Sequence, residues 1–139
     1  MKQVKTIKIT WERLVDDKGE TCDRCRDTEI ELDKAVRFLE KSLAPGGVHF
    51  SVEKRGLNFA EFSQDPSRSN RLWIDGRPLE KWVRAEVGQS PCWGPCQGAE
   101  CRTLEVNGTI HETIPAELII KAGLLAVQRQ VKKLSGKHP

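Results

Sequence analysis

The sequence has no long hydrophobic run. Its longest apolar stretch lies near residues 124–127, far below the roughly 20 apolar residues that a membrane-spanning helix needs. Residues 1–10 alternate lysine with valine and isoleucine, a pattern that does not resemble a signal peptide. We therefore expect no membrane partner and a cytoplasmic location, where thiols are mostly kept reduced.

A strong excess of one charge is also lacking. The formal net charge is only +3, and the basic residues are spread along the chain rather than gathered in one stripe, so no nucleic-acid partner is predicted. We recognise no internal repeat, no Ser/His/Asp set, no paired-carboxylate motif and no phosphate-binding glycine loop. The common hydrolase and nucleotide-binding signatures are therefore excluded, and the three histidines are expected to be structural.

Five cysteines in two clusters are the most informative feature that is present. Cys22 and Cys25 form a Cys-x-x-Cys motif, and Cys92, Cys96 and Cys101 lie in or at the end of a Gly/Pro-rich stretch. In a reducing compartment such clusters indicate catalytic, redox-sensing or metal-binding thiols rather than a disulfide framework. The odd number of cysteines also argues against complete pairing within one chain.

The Cys-x-x-Cys motif lies between a predicted strand and a predicted helix. Apolar residues at every second position over 7–11 predict a half-buried strand, and the apolar spacing over 32–43 predicts an amphipathic helix. The start of this helix has two interpretations. Thr28 with Glu31 fits a capping box, which would leave the cysteines on a loop and favour metal binding. Alternatively, Thr21 caps a helix that begins at Cys22.

The rest of the chain predicts one α/β domain over residues 1–139, in the order β-α-β-(α)-β-β-α. Turn signals at Asp75-Gly76 and Asn107-Gly108 predict tight hairpins. The remaining elements are a strand at 48–52, a short helix capped by Asn58 with Glu61, a buried strand at 72–74, a short helical turn at 79–83, an irregular Cys-rich loop inserted at 86–101, a hairpin at 102–114, a final helix after Pro115 and a flexible tail at 134–139.

This order, with Cys-x-x-Cys between the first strand and first helix, resembles the thioredoxin-like fold. Residues 71–77 resemble the strand and turn that follow the active-site cis-proline of glutaredoxins. The whole chain resembles an uncharacterised prokaryotic family known by a domain-of-unknown-function label and placed among thioredoxin-like proteins, through residues 19–25, 69–79, 86–92 and 114–119. The resemblance implies a central mixed sheet of about four strands flanked by helices, with the Cys-rich loop inserted before the last hairpin. It implies no assigned activity.

The sequence departs from the redox-enzyme pattern at one position. Asn70 stands where thioredoxin-like enzymes have the cis-proline. A cis bond before a residue other than proline costs about 2.5–4 kcal/mol, so we expect a trans peptide there. The departure weakens the analogy with ordinary disulfide exchange, and the missing ring would leave room for a metal beside the thiols.

The leading functional hypothesis is thiol–disulfide exchange, as in a thiol-disulfide oxidoreductase. Cys22 at a helix start would be the nucleophile, since helix N-termini favour thiolates, and Cys25 would be the resolving thiol. Asn70, Arg71 and Trp93 are candidate substrate-binding residues. The expected partners are thiols and disulfides of proteins or small molecules.

Two other hypotheses remain open. Cys92, Cys96 and Cys101, with one or both of Cys22 and Cys25, could bind zinc, an iron–sulfur cluster or a thiophilic ion such as arsenite or mercury. A disulfide between two of the three later cysteines is the competing structural interpretation. The third hypothesis is a catalytically silent interaction module that keeps the fold.

Overall fold

Strands and helices follow the predicted order as far as residue 83, and differ from it afterwards. The computed structural model describes residues 6–91 and 100–135, the last two without their side chains. The strands are β1 Ile7–Leu14, β2 Phe50–Leu57, β3 Arg71–Ile74, β4 Arg77–Pro78, β5 Glu86–Pro91, β6 Glu100–Val106 and β7 Thr109–His111, and the helices are α1 Asp23–Leu43, α2 Phe59–Gln64, α3 Leu79–Val83 and α4 Ala116–Ser135.

The first four strands form a mixed sheet in the order β2-β1-β3-β4. β1 and β2 run parallel and are connected through α1, whereas β3 runs antiparallel to β1 and β4 antiparallel to β3. Asp75 and Gly76 join β3 to β4 with φ of 53° and 79°, as the predicted tight turn requires. The expected mixed sheet of about four strands is confirmed.

Strand β1 is buried on both faces, which its alternating sequence does not predict. Ile7, Ile9 and Trp11 are fully buried as expected, but Thr10 and Glu12 on the opposite face are only 8% and 6% exposed. A 3-10 turn at Pro66–Arg68 accounts for part of this burial, because Arg68 donates to a Glu12 carboxylate oxygen at 3.1 Å. A central strand can therefore carry polar residues inward when an ion pair satisfies them.

Two other local predictions are also confirmed. Asn58 caps α2, with its side chain accepting from the Glu61 amide at 2.8 Å while the Glu61 carboxylate accepts from the Asn58 amide at 3.0 Å. The helix α1 presents Leu32, Ala35 and Leu39 to the core, where all three are fully buried.

Within the segment at 86–101, the described residues do not form the irregular loop that the composition predicts. Glu86–Pro91 is strand β5 and residues 100–101 begin strand β6, and both belong to a second, three-stranded antiparallel sheet in the order β5-β6-β7. The last hairpin therefore belongs to this second sheet and not to the four-stranded sheet beside which the Cys-x-x-Cys motif lies. Gly88 and Pro91, which are typical of loops, lie within strand β5. This strand pairs with β6, about 15 residues further along the chain.

Helix α4 packs along α1 over the four-stranded sheet. A Cβ atom on Gly123 would lie 2.7 Å from the Leu39 Cδ1 atom and 3.5 Å from the Phe50 ring. Glycine thus allows the two helices to approach closely where α4 crosses the core. Within the described ranges, no helix combines the length and the apolar composition needed to cross a bilayer. Of the predicted tail at 134–139, the first two residues complete α4 and the others lie outside the described residues.

Candidate functional site

The helix α1 begins directly at the Cys-x-x-Cys motif. Cys22 is the N-cap residue, with an extended backbone (φ −73°, ψ 164°), and its carbonyl accepts the first helical hydrogen bond from the Arg26 amide at 2.9 Å. The interpretation in which the helix begins at Thr28 is therefore wrong. Thr21 does not cap the helix either, because its hydroxyl donates to the Leu14 carbonyl at 2.6 Å.

The two cysteines of the motif have different surroundings. Both side chains are buried in the hydrophobic core, but Cys22 keeps 5% exposure and its residue lines a surface pocket of about 360 Å³, whereas Cys25, one helical turn further on, is fully buried. Both are thiols in the structure. Unpaired backbone N–H groups at a helix N-terminus stabilise negative charge, so the pocket-lining sulfur is the one placed to ionise and react.

Cys25 is held as a thiol by its neighbours. The hydrogen bond with Cys22 is the largest cause that raises the pKa of Cys25, followed by burial. Ser69 has the opposite effect from a distance of 3.7 Å between its Oγ and the Cys25 sulfur. The Ser69 oxygen already accepts from the Leu14 amide at 3.2 Å, so its own proton is available to the sulfur.

Asn70 has a structural environment at the position where the resemblance has a proline. Its peptide bond is trans, as expected, and its φ is 62°, a left-handed conformation that asparagine tolerates better than most residues. The side chain is 1% exposed, accepts from the Trp11 indole N–H at 3.0 Å and donates to the Glu112 carbonyl at 3.4 Å. Asn70, immediately before β3, thus connects the middle of β1 to the segment after β7.

The other candidate substrate-binding residues lie apart from the pocket or outside the described residues. The Arg71 guanidinium lies 4.2 Å above the Trp73 ring, and neither Arg71 nor Asn70 is among the residues that line the Cys22 pocket. Trp93 falls outside the described residues, and its predicted role stays a prediction.

Arg24, between the two cysteines, connects the helix start to the second sheet. Its guanidinium donates to the Pro91 carbonyl at 3.0 Å, to the Glu112 carboxylate at 3.0 Å and to the Ser90 carbonyl at 3.5 Å. The same Glu112 oxygen accepts from the Ser90 hydroxyl at 2.9 Å. These contacts bring the end of β5, immediately before Cys92, to the Cys22 pocket, which Pro91 lines.

Two further side chains of α1 continue this connection along one helix face. The Thr28 hydroxyl accepts from the Ile114 amide at 3.1 Å, and the Glu31 carboxylate accepts from the Ala116 amide at 2.9 Å. Thr28 and Glu31, which the sequence suggested as a capping box for α1, therefore bond the segment that leads into α4. The backbone hydrogen bond from Ala116 is the main cause that lowers the pKa of Glu31.

The second cysteine cluster is described only in part. Cys101 is fully buried on β6, opposite Ser90 of β5, while Cys92 and Cys96 lie outside the described residues. Among the residues that the structure describes, no three His, Cys, Asp or Glu side chains are grouped so that they could hold a metal ion. The predicted five-cysteine ligand set therefore stays a prediction.

Residues 7–123 match the profile of a protein family described as a domain of unknown function, DUF2703. The chain belongs to this family. An uncharacterized protein of Archaeoglobus fulgidus is 46% identical to this DUF2703 chain over 113 residues, which are 81% of the chain and 82% of the relative. No solved structure matches it. The expected membership in a family of unknown function is confirmed.

Two residues of this site could not be predicted from the sequence. The sequence predicts no role for Ser69 and only a place in a hairpin for Glu112, yet Ser69 contacts Cys25 and Glu112 lines the Cys22 pocket. Their separation from the motif, 44 residues for Ser69 and 88 between Arg24 and Glu112, leaves no local signal. The one clue for Ser69 is its position just before Asn70.

Proposed function

We propose that this DUF2703 chain is a thioredoxin-like protein that exchanges thiols and disulfides through Cys22 and Cys25. The observation that carries the proposal is the division of the motif. The Cys22 thiol, 5% exposed, belongs to a helix N-cap residue that lines a surface pocket, and the Cys25 thiol lies one turn away, fully buried and hydrogen-bonded to the first. Such a pair suits exchange through a mixed disulfide, in which one thiol attacks and the other resolves.

The sheet topology supports the thioredoxin-like scaffold. The motif follows the first strand of a parallel β-α-β unit, and the antiparallel hairpin of β3 and β4 completes the sheet on the other side of β1. Asn70 precedes β3 at the position that the resemblance gives to a cis-proline. Strand order and motif position together support a thioredoxin-like scaffold.

In the first step the Cys22 thiolate attacks one sulfur of a disulfide substrate. A bond forms between this sulfur and Cys22, the substrate S–S bond breaks, and the other substrate sulfur leaves as a thiolate that takes a proton from water. Cys22 is suited to this step because the N-terminus of α1 stabilises its thiolate and the pocket gives a substrate sulfur access to it.

In the second step Cys25 attacks the Cys22 sulfur and releases the second substrate thiol. The chain is left with a Cys22–Cys25 disulfide, having lost two electrons to the substrate. Once Cys22 is in a mixed disulfide, the main cause of the raised pKa of Cys25 is gone, because that cause is the hydrogen bond and charge of Cys22. The Ser69 hydroxyl then favours the Cys25 thiolate. The proton that Cys25 loses passes to the leaving substrate thiolate.

The test uses reduced protein, a small neutral disulfide such as hydroxyethyl disulfide, and dithiothreitol as the final reductant. Wild type should turn over and accumulate a Cys22–Cys25 disulfide when dithiothreitol is left out. Cys22→Ser should abolish turnover. Cys25→Ser should stop at a mixed disulfide on Cys22, which mass spectrometry of the intact protein detects.

Cys101→Ser is the matched control, because Cys101 is as buried as Cys25 but lies on strand β6 of the second sheet rather than on α1. We expect it to keep the turnover of wild type. Failure of reduced wild type to react at Cys22, in a sample shown to be folded, would refute the proposal and leave thiophilic-ion binding and the silent interaction module.

Thiophilic-ion binding is the second candidate. Pro91, which precedes Cys92 in the chain and is the last residue described before the second cluster, lines the same pocket as Cys22. Thiolates from both clusters would suit zinc, an iron–sulfur cluster, arsenite or mercury. Elemental analysis and thiol counting on anaerobically purified protein test this candidate. It predicts stoichiometric metal that Cys92→Ser removes, whereas five reactive thiols without metal would refute it.

A further inference from the structure

The walls of the Cys22 pocket carry mostly acidic side chains. Its charged lining residues are the carboxylates of Asp23, Asp27 and Glu112 and the guanidinium of Arg24. Three carboxylates against one guanidinium leave two net negative charges around the reactive sulfur. The whole chain has a formal charge of +3, so the pocket has the opposite sign to the protein that surrounds it.

The single positive charge of the pocket is already engaged. The Arg24 side chain is 9% exposed, and its guanidinium pairs with Glu112 and donates to two backbone carbonyls. A substrate anion would have to displace these contacts. The carboxylates of Asp23 and Asp27 are on exposed residues, and the nearest cation of Asp23, Arg26, is 3.4 Å away in a contact where both side chains are largely exposed.

We propose that the Cys22 pocket selects disulfides that carry positive charge beside the sulfur atoms, such as cationic small molecules or basic peptide segments. The inference rests on the proposed function, because the thiol defines the site and the carboxylates decide which substrates approach it. The covalent steps are those given above, and only the charge of the substrate groups differs. In water, two unit charges about 7 Å apart change an equilibrium by about 2–3-fold. Because Arg26 lies 3.4 Å from Asp23 and offsets part of its charge, the two net charges of the lining should separate cationic from neutral disulfides by about 4-fold.

The experiment compares three disulfides of similar size: cystamine, which is cationic, hydroxyethyl disulfide, which is neutral, and dithiodiglycolate, which is anionic. The rate of mixed-disulfide formation at Cys22 is measured for each at low ionic strength. Each rate is divided by that of the same reagent with 2-mercaptoethanol, which removes differences in leaving group and the attraction of any thiolate for cations. We expect the order cationic, neutral, anionic, with at least 10-fold between the extremes.

Two further measurements assign the selectivity to the pocket. The double variant Asp23→Asn/Asp27→Asn should reduce the cationic-to-anionic ratio to about 3-fold or less. The matched control is Glu117→Gln, since Glu117 is also an exposed acid in the first turn of a helix but lies on α4. It should keep the wild-type ratio. Raising the salt to 0.5 M should also reduce the ratio, because exposed charges are screened.

The outcomes separate this inference from the proposed function. A wild-type ratio near one, or a ratio that the double variant leaves unchanged, would overturn the selectivity while exchange at Cys22 stands. No reaction of Cys22 with any of the three reagents would overturn both. A ratio that falls in the double variant and not in the control would support the selectivity.

Discussion

Replacing Asn70 by alanine should destabilise the fold through two separable effects. The first is loss of the acceptor for the Trp11 indole N–H, now bonded at 3.0 Å in the core, because an unsatisfied buried donor costs about 1–3 kcal/mol. The second is backbone strain. Asn70 has φ of 62°, and the left-handed conformation costs about 1–2 kcal/mol for a residue such as alanine. The expected total is about 2–5 kcal/mol.

Glycine at the same position separates the two effects. Asn70→Gly loses the same hydrogen bond but has no left-handed penalty, although glycine adds about 0.4–1 kcal/mol of unfolded-state entropy. We therefore expect Asn70→Gly to be destabilised by about 1.4–4 kcal/mol, which is about 0–1.6 kcal/mol less than Asn70→Ala. Urea denaturation followed by circular dichroism measures both.

A double-mutant cycle with Trp11→Phe tests the hydrogen bond directly. Phenylalanine has no N–H to leave unsatisfied, so Asn70→Gly should cost about 1 kcal/mol less in the Trp11→Phe background than in wild type. A glycine variant that is clearly less stable than the alanine variant would refute the strain argument. A coupling energy near zero would refute the assignment of Asn70 as the Trp11 acceptor.

Three other predictions concern the site and its support. Ser69→Ala should slow the attack of Cys25 on the mixed disulfide by about 10-fold, because a hydrogen bond that favours the Cys25 thiolate is lost. Mass spectrometry of the intact protein follows the decay of the mixed disulfide, and an unchanged rate would contradict this role. Glu31→Gln should lower the free energy of unfolding by about 1 kcal/mol at neutral pH. Because the pKa of Glu31 is lowered in the folded protein, this advantage of wild type is present above the ordinary pKa of a glutamate. It should disappear in urea titrations as the pH falls through the lowered pKa. Gly123→Ala should destabilise the protein by about 1–2 kcal/mol despite the better helix former, and by less in the Leu39→Val background, since the new Cβ meets Leu39; a more stable Gly123→Ala protein would be the opposite result.

Much of the secondary structure could be predicted because its causes are local. The capping box of Asn58 and Glu61, the turn at Asp75-Gly76 and the apolar face of α1 each depend on residues a few positions apart. Strand β5 could not be predicted in this way. Its composition is typical of a loop, and its strand geometry comes from pairing with β6.

The candidate site shows the same division. The motif itself and its place between β1 and α1 were predicted, since spacing within one helical turn is a local property. The different burial of Cys22 and Cys25 was not predicted. It depends on Ser69 and on the second sheet, which reach the helix start only through tertiary packing.

The sequence by itself determined which residues carry sulfur chemistry and that a helix follows them, because both are properties of neighbouring residues. Only the tertiary structure decided that Cys22 lies on a pocket and Cys25 inside the core, that Asn70 bonds Trp11, and that acidic side chains from α1 and from the segment after β7 surround one thiol. Those arrangements come from contacts between residues 40 to 90 positions apart, and long-range contacts depend on packing rather than on local pattern.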